Sequence, residues 1–277
     1  MNVLRAGERL GPYGILTALG RGGTASLWLA HDPAGGRMVV LKVLGSRDGA
    51  APPAELAARL GREVELLRRV EHPNVVRALG PVGAAGGALW FPLEFVQGVD
   101  LAHLLAREGP MEEGRARTFA RAIAGGLGAV HEAGVLPRDL KPANVMVGAG
   151  DRPILVDFGL SVAAALERIT ATGAALGTPP YMAPEQLAGA RDLDARADLH
   201  AFGVLVYEML AGARPWAEES IGELRVRKAG GHRPIATLRP GLEPAWPAWF
   251  DRALALRPGD RFASAEAAAR ALPAGAG

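Results

Sequence analysis

One stretch, residues 137–159, constrains this chain more than any other part of its sequence. It reads PRDLKPANVMVGAGDRPILVDFG and places Asp139, Lys141 and Asn144 within one short segment. A turn-rich break, GAGDRP, and an apolar run, ILV, then lead to Asp157. Asp, Asn and Pro are also common in ordinary surface turns. An acid, a lysine, an amide and a second acid in this order, however, predict a site that holds metal and phosphate beside a proton acceptor.

Composition excludes several classes of protein. The 277 residues are 49% hydrophobic, which is enough to bury a core in one large domain or two lobes. Lys and Arg number 31 against 29 Asp and Glu, so the charge balance argues against nucleic acid or an anionic membrane as the main partner. The absence of cysteine excludes disulfides and thiolate metal ligands. The histidines lack metal-ligand spacing, so we predict no zinc site.

The sequence predicts no membrane segment. Its first residues, MNVLRAGERLGPYG, lack the apolar core of a signal peptide, and no uncharged apolar run reaches the roughly 18 residues that span a bilayer. The lack of cysteine is also compatible with a reducing cytosol. We therefore expect a soluble, cytoplasmic chain; the oligomeric state is left open.

The basic residues are biased towards arginine, because Lys42, Lys141 and Lys228 are the only lysines. In such a chain a lysine marks a place where a compact ammonium is needed rather than a planar guanidinium. Chance retention of lysine is the alternative interpretation. Lys141 lies in the stretch described above, and Lys42 follows the β-prone run RMVVL.

The order of patterned segments indicates two lobes. Residues 13–44 alternate β-prone runs with turns and predict two hairpins. Apolar residues at helical spacing predict a helix over 55–70, and strand-like runs follow at 75–80 and 88–96. After Gly98 the pattern is mainly helical. The predicted helices are 114–133, 196–211 and 263–272, with loops and short helices over 212–247. We expect a β-rich lobe over about 11–97, a hinge at 94–99, a helical lobe over about 98–272 and a frayed tail at 273–277.

A glycine-rich turn separates the first two strand-like runs. It consists of Gly20, Arg21, Gly22, Gly23, Thr24 and Ala25. Glycines let the backbone approach phosphate oxygens closely and present N–H groups to them. An ordinary flexible hairpin is the alternative interpretation of this turn alone.

Three further motifs follow in the helical half. They are GTPPYMAPE, which contains Thr178 and Glu185, the segment DARADLHAFG with Asp198, and RPGDRF with Arg261. In this order, and together with the motifs above, they resemble the eukaryotic-like serine/threonine protein kinases of bacteria. The resemblance runs from about residue 11 to 272.

The resemblance implies a fold and an activity. The fold is α+β and two-lobed, with a small antiparallel β-sheet lobe carrying one main helix and a larger, mainly α-helical lobe. The activity is ATP-dependent phosphorylation of serine and threonine hydroxyls on proteins, including autophosphorylation, with ATP and Mg²⁺ as cofactors. Lys141, two residues after Asp139, matches the serine/threonine pattern rather than the tyrosine pattern.

The resemblance also assigns roles in catalysis. Asp139 is the base or orienting acceptor for the substrate hydroxyl, and Lys141 stabilises charge on the γ-phosphoryl group. Thr178 matches the threonine that bridges these two residues. Asn144 and Asp157 match the ligands that hold Mg²⁺ between the phosphates.

Other positions match the nucleotide pocket. The turn at 20–25 covers the phosphates, with Ala25 in place of a third glycine. Lys42 contacts the α- and β-phosphates and pairs with Glu63 on the 55–70 helix; taken alone, Glu63 is a common solvated helix charge. The remaining pocket positions are the backbone from Glu94 to Val96, Leu93 at the back, and Val40 and a residue near Val147 on the apolar walls.

Asp198, Glu185 and Arg261 match structural positions: Asp198 anchors the backbone of the catalytic loop, and Arg261 pairs with Glu185. Arg138 precedes Asp139, and kinases with that arginine are often controlled by phosphate on the activation loop. We therefore predict autophosphorylation at Thr170 or Thr172; Ser161 is the other candidate in that loop, and unmodified polar loop residues are the alternative.

Pro137 departs from the family pattern, which has histidine there. Proline offers neither a side-chain donor nor a backbone N–H, so we predict reduced basal activity. A pseudokinase, a nucleotide-binding scaffold that signals by shape, is therefore the alternative function. A small-molecule phosphotransferase of related architecture is a third possibility, and the MAPE segment favours protein substrates over it.

Overall fold

The structure is a computed structural model and describes residues 4–21, 25–45, 54–85, 87–157, 179–190, 192–217 and 220–275. A six-stranded antiparallel sheet forms the first lobe, with strand order β1-β2-β3-β4-β6-β5. Its strands are β1 (Arg9–Leu10), β2 (Tyr13–Arg21), β3 (Ala25–Asp32), β4 (Arg37–Gly45), β5 (Gly83–Ala85) and β6 (Ala88–Glu94). The two predicted hairpins are confirmed as β2–β3 and β3–β4.

The turn between β3 and β4 is stabilised by Asp32. Its carboxylate accepts hydrogen bonds from the N–H groups of Ala34 and Gly35, both at 3.1 Å. Gly36 follows with φ of 59°, a conformation that glycine adopts without steric cost. This local chemistry fixes the register in which Lys42 lies opposite Leu27.

Alternation along β4 assigns its side chains to two faces of the sheet. Val39, Leu41 and Val43 belong to one apolar cluster together with Trp28 and Trp90. Lys42 lies between them in sequence and therefore points to the opposite face, which packs towards the helical lobe and α1 (Ala54–Leu67). The alternation of side chains along β4 thus places Lys42 on the inner face of the sheet.

Helix α1 covers that inner face. Its buried residues Leu60, Val64 and Leu67 recur at helical spacing. The sequence predicted the helix to continue to residue 70, but it ends at Leu67. The last residues, 68–70, form tightened turns, with Val70 N–H donating to the carbonyl of Leu67 at 3.0 Å.

The predicted strand at 75–80 is wrong. Only isolated bridges form there, Val75 with Leu155 and Ala78 with Leu93. The segment has strand-like residues but divides its backbone hydrogen bonds between two partners, so no continuous ladder forms. The edge strand is β5 instead, where a Cβ on Gly83 would lie 2.2 Å from the Trp90 ring.

The second lobe is mainly helical, as predicted. Its helices are α2 (Leu101–Glu108), α3 (Glu113–Glu132), α4 (Pro184–Leu187), α5 (Ala195–Ala211), α6 (Ile221–Ala229), α7 (Trp246–Ala253) and α8 (Ala265–Arg270). The predicted helices at 114–133, 196–211 and 263–272 correspond to α3, α5 and α8. Helix α5 is buried along almost its whole length and forms the centre of the lobe. The two-lobed α+β fold is thereby confirmed.

A small sheet of β7 (Val99–Asp100), β8 (Val145–Gly148) and β9 (Arg152–Leu155) lies between the sheet lobe and the helices. The β8–β9 hairpin turns through Gly150 and Asp151, both with positive φ. It brings the residues that precede β8 next to those that follow β9, since Val156 N–H donates to the carbonyl of Asn144 at 3.1 Å. In the part of the chain that the structure describes, no helix has the length and apolarity needed to cross a bilayer.

Candidate active site

The catalytic-loop candidates form one hydrogen-bonded group. Lys141 Nζ lies 2.7 Å from Asp139 Oδ2. Asn144 Nδ2 donates to the Asp139 carbonyl at 2.7 Å and to its Oδ2 at 3.2 Å. A 3₁₀ turn over Pro142–Asn144 makes this closure possible, because it folds the chain back within one turn. The fold therefore places a carboxylate, an ammonium and an amide together at the mouth of the β8–β9 hairpin.

The backbone before Asp139 is held in an unusual conformation. Arg138 has φ of 61°, a strained value for a non-glycine residue. Its N–H donates to Asp198 Oδ1 at 2.7 Å, and Asp198 is almost fully buried on α5. The second oxygen of Asp198 contacts His131 Nε2 at 3.0 Å. The predicted role of Asp198 as the anchor of this loop is confirmed.

Pro137, which directly precedes Arg138, is buried and has no backbone N–H to donate. The second oxygen of Asp198 is contacted by His131, at the end of α3. Sequence reasoning missed His131, because its partner is 67 residues away in the chain. The aspartate therefore has two donors in spite of the proline.

Asp157 follows β9 and forms an ion pair with Lys42 through Oδ1 and Nζ. Lys42 is 4% exposed, so its ammonium requires a counter-charge. Asp157 and Asn144 supply carboxylate and amide oxygens, the hard ligands that Mg²⁺ prefers. The described residues contain no group of three or more His, Cys, Asp or Glu arranged to hold a metal ion. This donor set fits Mg²⁺ that is held partly by substrate phosphates, because such sites use only one or two carboxylates.

The predicted ion pair between Lys42 and Glu63 is wrong for this structure. Glu63 Oε1 accepts a hydrogen bond from Arg59 Nε at 3.1 Å, one helical turn earlier in α1. Arg59 competes successfully because residues four apart on a helix face each other. Lys42 is neutralised by Asp157 instead.

The expected adenine pocket lies where β4, β6 and the connection between the lobes meet. Leu93 is buried and pairs with Val40 across the sheet. Glu94 ends β6, and its N–H is already used in a bond to the Arg77 carbonyl at 2.9 Å. Val96 follows, partly buried against the main core.

Gly98 brings the connection between the lobes close to β8. A Cβ at this position would lie 2.1 Å from the carbonyl oxygen of Val147, so no larger residue fits. Val147 therefore lies near Val96: a Cβ on Gly148, the residue after Val147, would be 3.8 Å from Val96 Cγ1. The apolar wall expected at Val147 is thus placed beside the hinge segment.

The glycine-rich turn is described at its two ends. Gly20 and Arg21 pair with Leu27 and Ser26 in the β2–β3 hairpin, and Ala25 begins β3. Several predicted residues lie outside the described part of the chain. They are Gly22, Gly23, Thr24, Phe158, Gly159, Ser161, Thr170, Thr172 and Thr178.

The pair between Arg261 and Glu185 is confirmed. Two guanidinium nitrogens contact the two carboxylate oxygens at 2.7 and 2.8 Å. The Arg261 side chain is fully buried and also donates to backbone carbonyls at 255, 256 and 196. The pair therefore connects α4 to the segment before α8.

Sequence reasoning also missed Gln186, which links the catalytic loop to α4. Its Oε1 accepts from Ala183 N–H at 2.9 Å, and its Nε2 donates to the Arg138 carbonyl at 3.3 Å. A glutamine after Pro-Glu carries no catalytic signal in sequence, because both its partners are backbone groups. Its buried position is what identifies it.

Comparison with known proteins agrees with this geometry. The sequence model of the protein kinase domain family matches residues 13–252. The serine/threonine-protein kinase PknE of Mycobacterium tuberculosis is 35% identical over 258 residues, which are 93% of this chain and 45% of that protein. PknH of the same organism is 34% identical over 94% of this chain and 41% of PknH, and PknD is 36% identical over 95% and 39%.

This chain thus spans less than half the length of the curated relatives it matches. The match covers both lobes and includes the candidate site residues from Lys42 to Asp157. The chain belongs to the protein kinase domain family, in the group of the bacterial serine/threonine protein kinases.

Proposed function

We propose that this chain transfers the γ-phosphoryl group of ATP to serine and threonine hydroxyls of proteins. The observation that carries the proposal is the contact of Lys141 and Asn144 with Asp139, next to Asp157 and Lys42. A base, a phosphate-binding ammonium and two metal ligands are the parts that phosphoryl transfer requires. The names of the relatives, all serine/threonine protein kinases, favour an active enzyme over a scaffold.

The chemical step follows from these positions. The substrate hydroxyl oxygen attacks the γ-phosphorus in line with the bond to the β-phosphate, which breaks to release ADP. Asp139 orients the hydroxyl and takes up its proton, while Lys141 stabilises the negative charge on the transferring group. Asn144 and Asp157 are the residues that would hold Mg²⁺, which would supply neutralisation of the phosphate charge.

Lys42 has to exchange partners before transfer. Its contacts with the α- and β-phosphates compete with Asp157, and Asp157 cannot serve Lys42 and Mg²⁺ with the same oxygen. A turn of α1 that moves Glu63 from Arg59 towards Lys42 supplies the replacement counter-charge. The described arrangement is thus a resting one, from which the nucleotide selects the active one.

Adenine binds to backbone at the hinge. The Glu94 carbonyl and the backbone of Val96 are the hydrogen-bonding groups, because the Glu94 N–H already donates to Arg77. Val40 and Val147 form the apolar walls, and Leu93 closes the back of the pocket. We assign the cover of the phosphates to the glycine-rich turn, whose described ends are Gly20, Arg21 and Ala25. In sequence, Gly22, Gly23 and Thr24 complete this turn.

Phosphate on the activation loop regulates the enzyme. The Arg138 Nε is buried and has no hydrogen-bond partner among the described residues. A phosphorylated threonine brings acceptor oxygens that suit such a guanidinium. Thr170 and Thr172 are the residues we assign to this modification, and Thr178 is the residue we assign to the bridging role between Asp139 and Lys141; all three lie outside the described part of the chain.

Two assays test the proposal. Purified chain is incubated with ATP-Mg²⁺ and either a library of serine-, threonine- and tyrosine-containing peptides or a panel of small-molecule acceptors. We expect phosphoserine and phosphothreonine in the peptides and, by mass spectrometry, phosphate on Thr170 or Thr172 of the chain itself. Transfer to small molecules only, or to tyrosine only, would refute the assigned acceptor. An active sample with both threonines unmodified would refute the assigned autophosphorylation.

A further inference from the structure

Lys228, the one lysine outside the motifs described above, is buried in the helical lobe. It lies near the end of α6 and is 3% exposed. Its Nζ is 4.3 Å from the centre of the Trp216 ring, whose own Nε1 donates to the Gly231 carbonyl at 2.9 Å. The ring is therefore fixed, and its face offers the ammonium a cation–π contact.

The same ammonium donates two hydrogen bonds to backbone carbonyls, to Pro180 at 3.0 Å and to Met182 at 2.7 Å. These residues belong to or follow the 3₁₀ turn over Pro179–Tyr181, which leads into α4. Two converging carbonyls and a ring face suit a compact ammonium on a flexible stem better than a planar guanidinium. This contact explains why a lysine stands here in a chain that otherwise uses arginine.

The segment that Lys228 holds is connected to the catalytic loop. Ala183, next to Met182, donates its N–H to Gln186 at 2.9 Å. Gln186 in turn donates to the carbonyl of Arg138 at 3.3 Å, and Arg138 directly precedes Asp139. A continuous series of hydrogen bonds and peptide bonds therefore runs from α6 to the catalytic aspartate.

The surroundings of Lys228 disfavour its charged form. Burial, and next the charge of Arg261, lower the pKa of Lys228 to about 7, whereas Glu185 raises it. On the α5 side His200 stacks on the Trp216 ring at 5.7 Å, and burial lowers its pKa well below the usual value, so it stays neutral.

Two further groups on neighbouring elements complete this environment. Tyr181 donates its hydroxyl to Glu208 on α5, and burial raises the pKa of that carboxyl. His232, just beyond α6, contacts Asp251 at 3.0 Å. Neither group replaces the two carbonyls as a partner for Lys228 in the contacts described.

We propose that Lys228 is a positioning residue for protein substrate: its ammonium clamps the backbone of residues 179–182, the floor beside Asp139 on which the acceptor peptide lies. This proposal rests on the proposed function, since it assigns the acceptor-binding part of that site. Lys228 touches neither ATP nor the reacting atoms, and it acts through the backbone that it holds.

Steady-state kinetics separates this role from general stability. Lys228→Met keeps the length of the side chain but leaves two buried carbonyls without a donor. We expect the KM for an acceptor peptide to rise about tenfold or more, with the KM for ATP changed less than about twofold. Arg225→Met, on an exposed position of the same helix, is the matched control and leaves both values unchanged. An unchanged peptide KM in Lys228→Met, or an equal rise for peptide and ATP, would overturn the proposal.

A second measurement does not need activity. The chain has only three lysines, so protein labelled with [¹³Cε]lysine gives three signals, and Lys228→Met identifies one of them. We expect that signal to titrate near neutral pH and amide hydrogen exchange over 179–187 to be faster in Lys228→Met, with Arg225→Met unchanged. Equal exchange over 179–187 in both variants and the unsubstituted chain would refute the clamp. Absence of phosphoryl transfer in the unsubstituted chain would instead refute the proposed function, and hydrogen exchange would still decide on the clamp.

Discussion

Lys42 and Asp157 are joined directly between the sheet lobe and the helical lobe, Nζ to Oδ1. The lysine expected to bind phosphate and the acid expected to bind Mg²⁺ therefore neutralise each other. Glu63, the expected partner of Lys42, is held by Arg59 at 3.1 Å on its own helix. Under the proposed function, binding of the nucleotide has to break the Lys42–Asp157 pair, and Glu63 has to leave Arg59 to take its place.

Arg59 should restrain activity. Arg59→Gln frees Glu63 to pair with Lys42, and an i,i+4 ion pair of this kind is worth about 0.3–0.5 kcal/mol. We therefore expect kcat/KM for ATP to rise about twofold. Arg62→Gln, at an exposed position of the same helix, is the control and should have no effect on kcat/KM. Unchanged or lower activity in Arg59→Gln would show that Arg59 does not compete for Glu63.

Pro137 should reduce basal activity without abolishing it. Pro137→His adds a backbone N–H and an imidazole next to the buried Asp198. One hydrogen bond is worth about 0.5–1.5 kcal/mol, so we expect activity to rise about two- to tenfold. Pro137→Ala restores the N–H alone and separates the two contributions. If neither variant is more active than the unsubstituted chain, Pro137 does not reduce the basal activity.

The buried pair of Arg261 and Glu185 should be a major contribution to stability. Glu185→Gln leaves the fully buried Arg261 guanidinium without its counter-charge. Breaking a buried pair from one side costs about 3–5 kcal/mol in the free energy of unfolding, measured by urea denaturation. Glu266→Gln breaks the exposed pair with Arg270 and should cost less than about 1 kcal/mol. Equal effects of the two substitutions would contradict the assigned role.

The stability of the fold should depend on pH through Lys228. Its pKa in the folded chain, about 7, lies below the usual 10.5 because burial disfavours the charged form. Between these two values the unfolded chain binds more protons than the folded chain, so the free energy of unfolding gains a term that rises with pH. We expect the stability of the unsubstituted chain relative to Lys228→Met to increase from pH 7 to pH 9.5 in urea denaturation. A difference that stays constant over this range would show that Lys228 titrates near its ordinary value.

The catalytic loop was predictable because its chemistry is local. Asp139, Lys141 and Asn144 lie within one turn of chain, so their order alone places them together. The alternation of β4 likewise assigns Lys42 to the inner face of the sheet. Contacts between residues that are close in sequence can thus be predicted from the sequence alone.

The choice of partners over long range was not predictable. Glu63 was expected to pair with Lys42, which is 21 residues earlier in the chain, but it pairs with Arg59 one turn earlier on its own helix. The run at 75–80 has strand-forming residues, but its hydrogen bonds go to two different partners. The arginine bias of the sequence marked Lys228 as one of three unusual lysines, but only its packing against the Trp216 ring reveals a buried cation.

The most direct measurement is transfer of labelled γ-phosphate from ATP-Mg²⁺ to the chain itself and to a generic basic protein. Asp139→Asn, which keeps the shape of the side chain, is assayed beside it, and binding of ATP is measured for both proteins. We predict transfer by the unsubstituted chain, loss of transfer in Asp139→Asn, and ATP binding by both. A folded chain that binds ATP but transfers no phosphate, or transfer that persists in Asp139→Asn, would contradict the assignment of this site as a phosphotransferase.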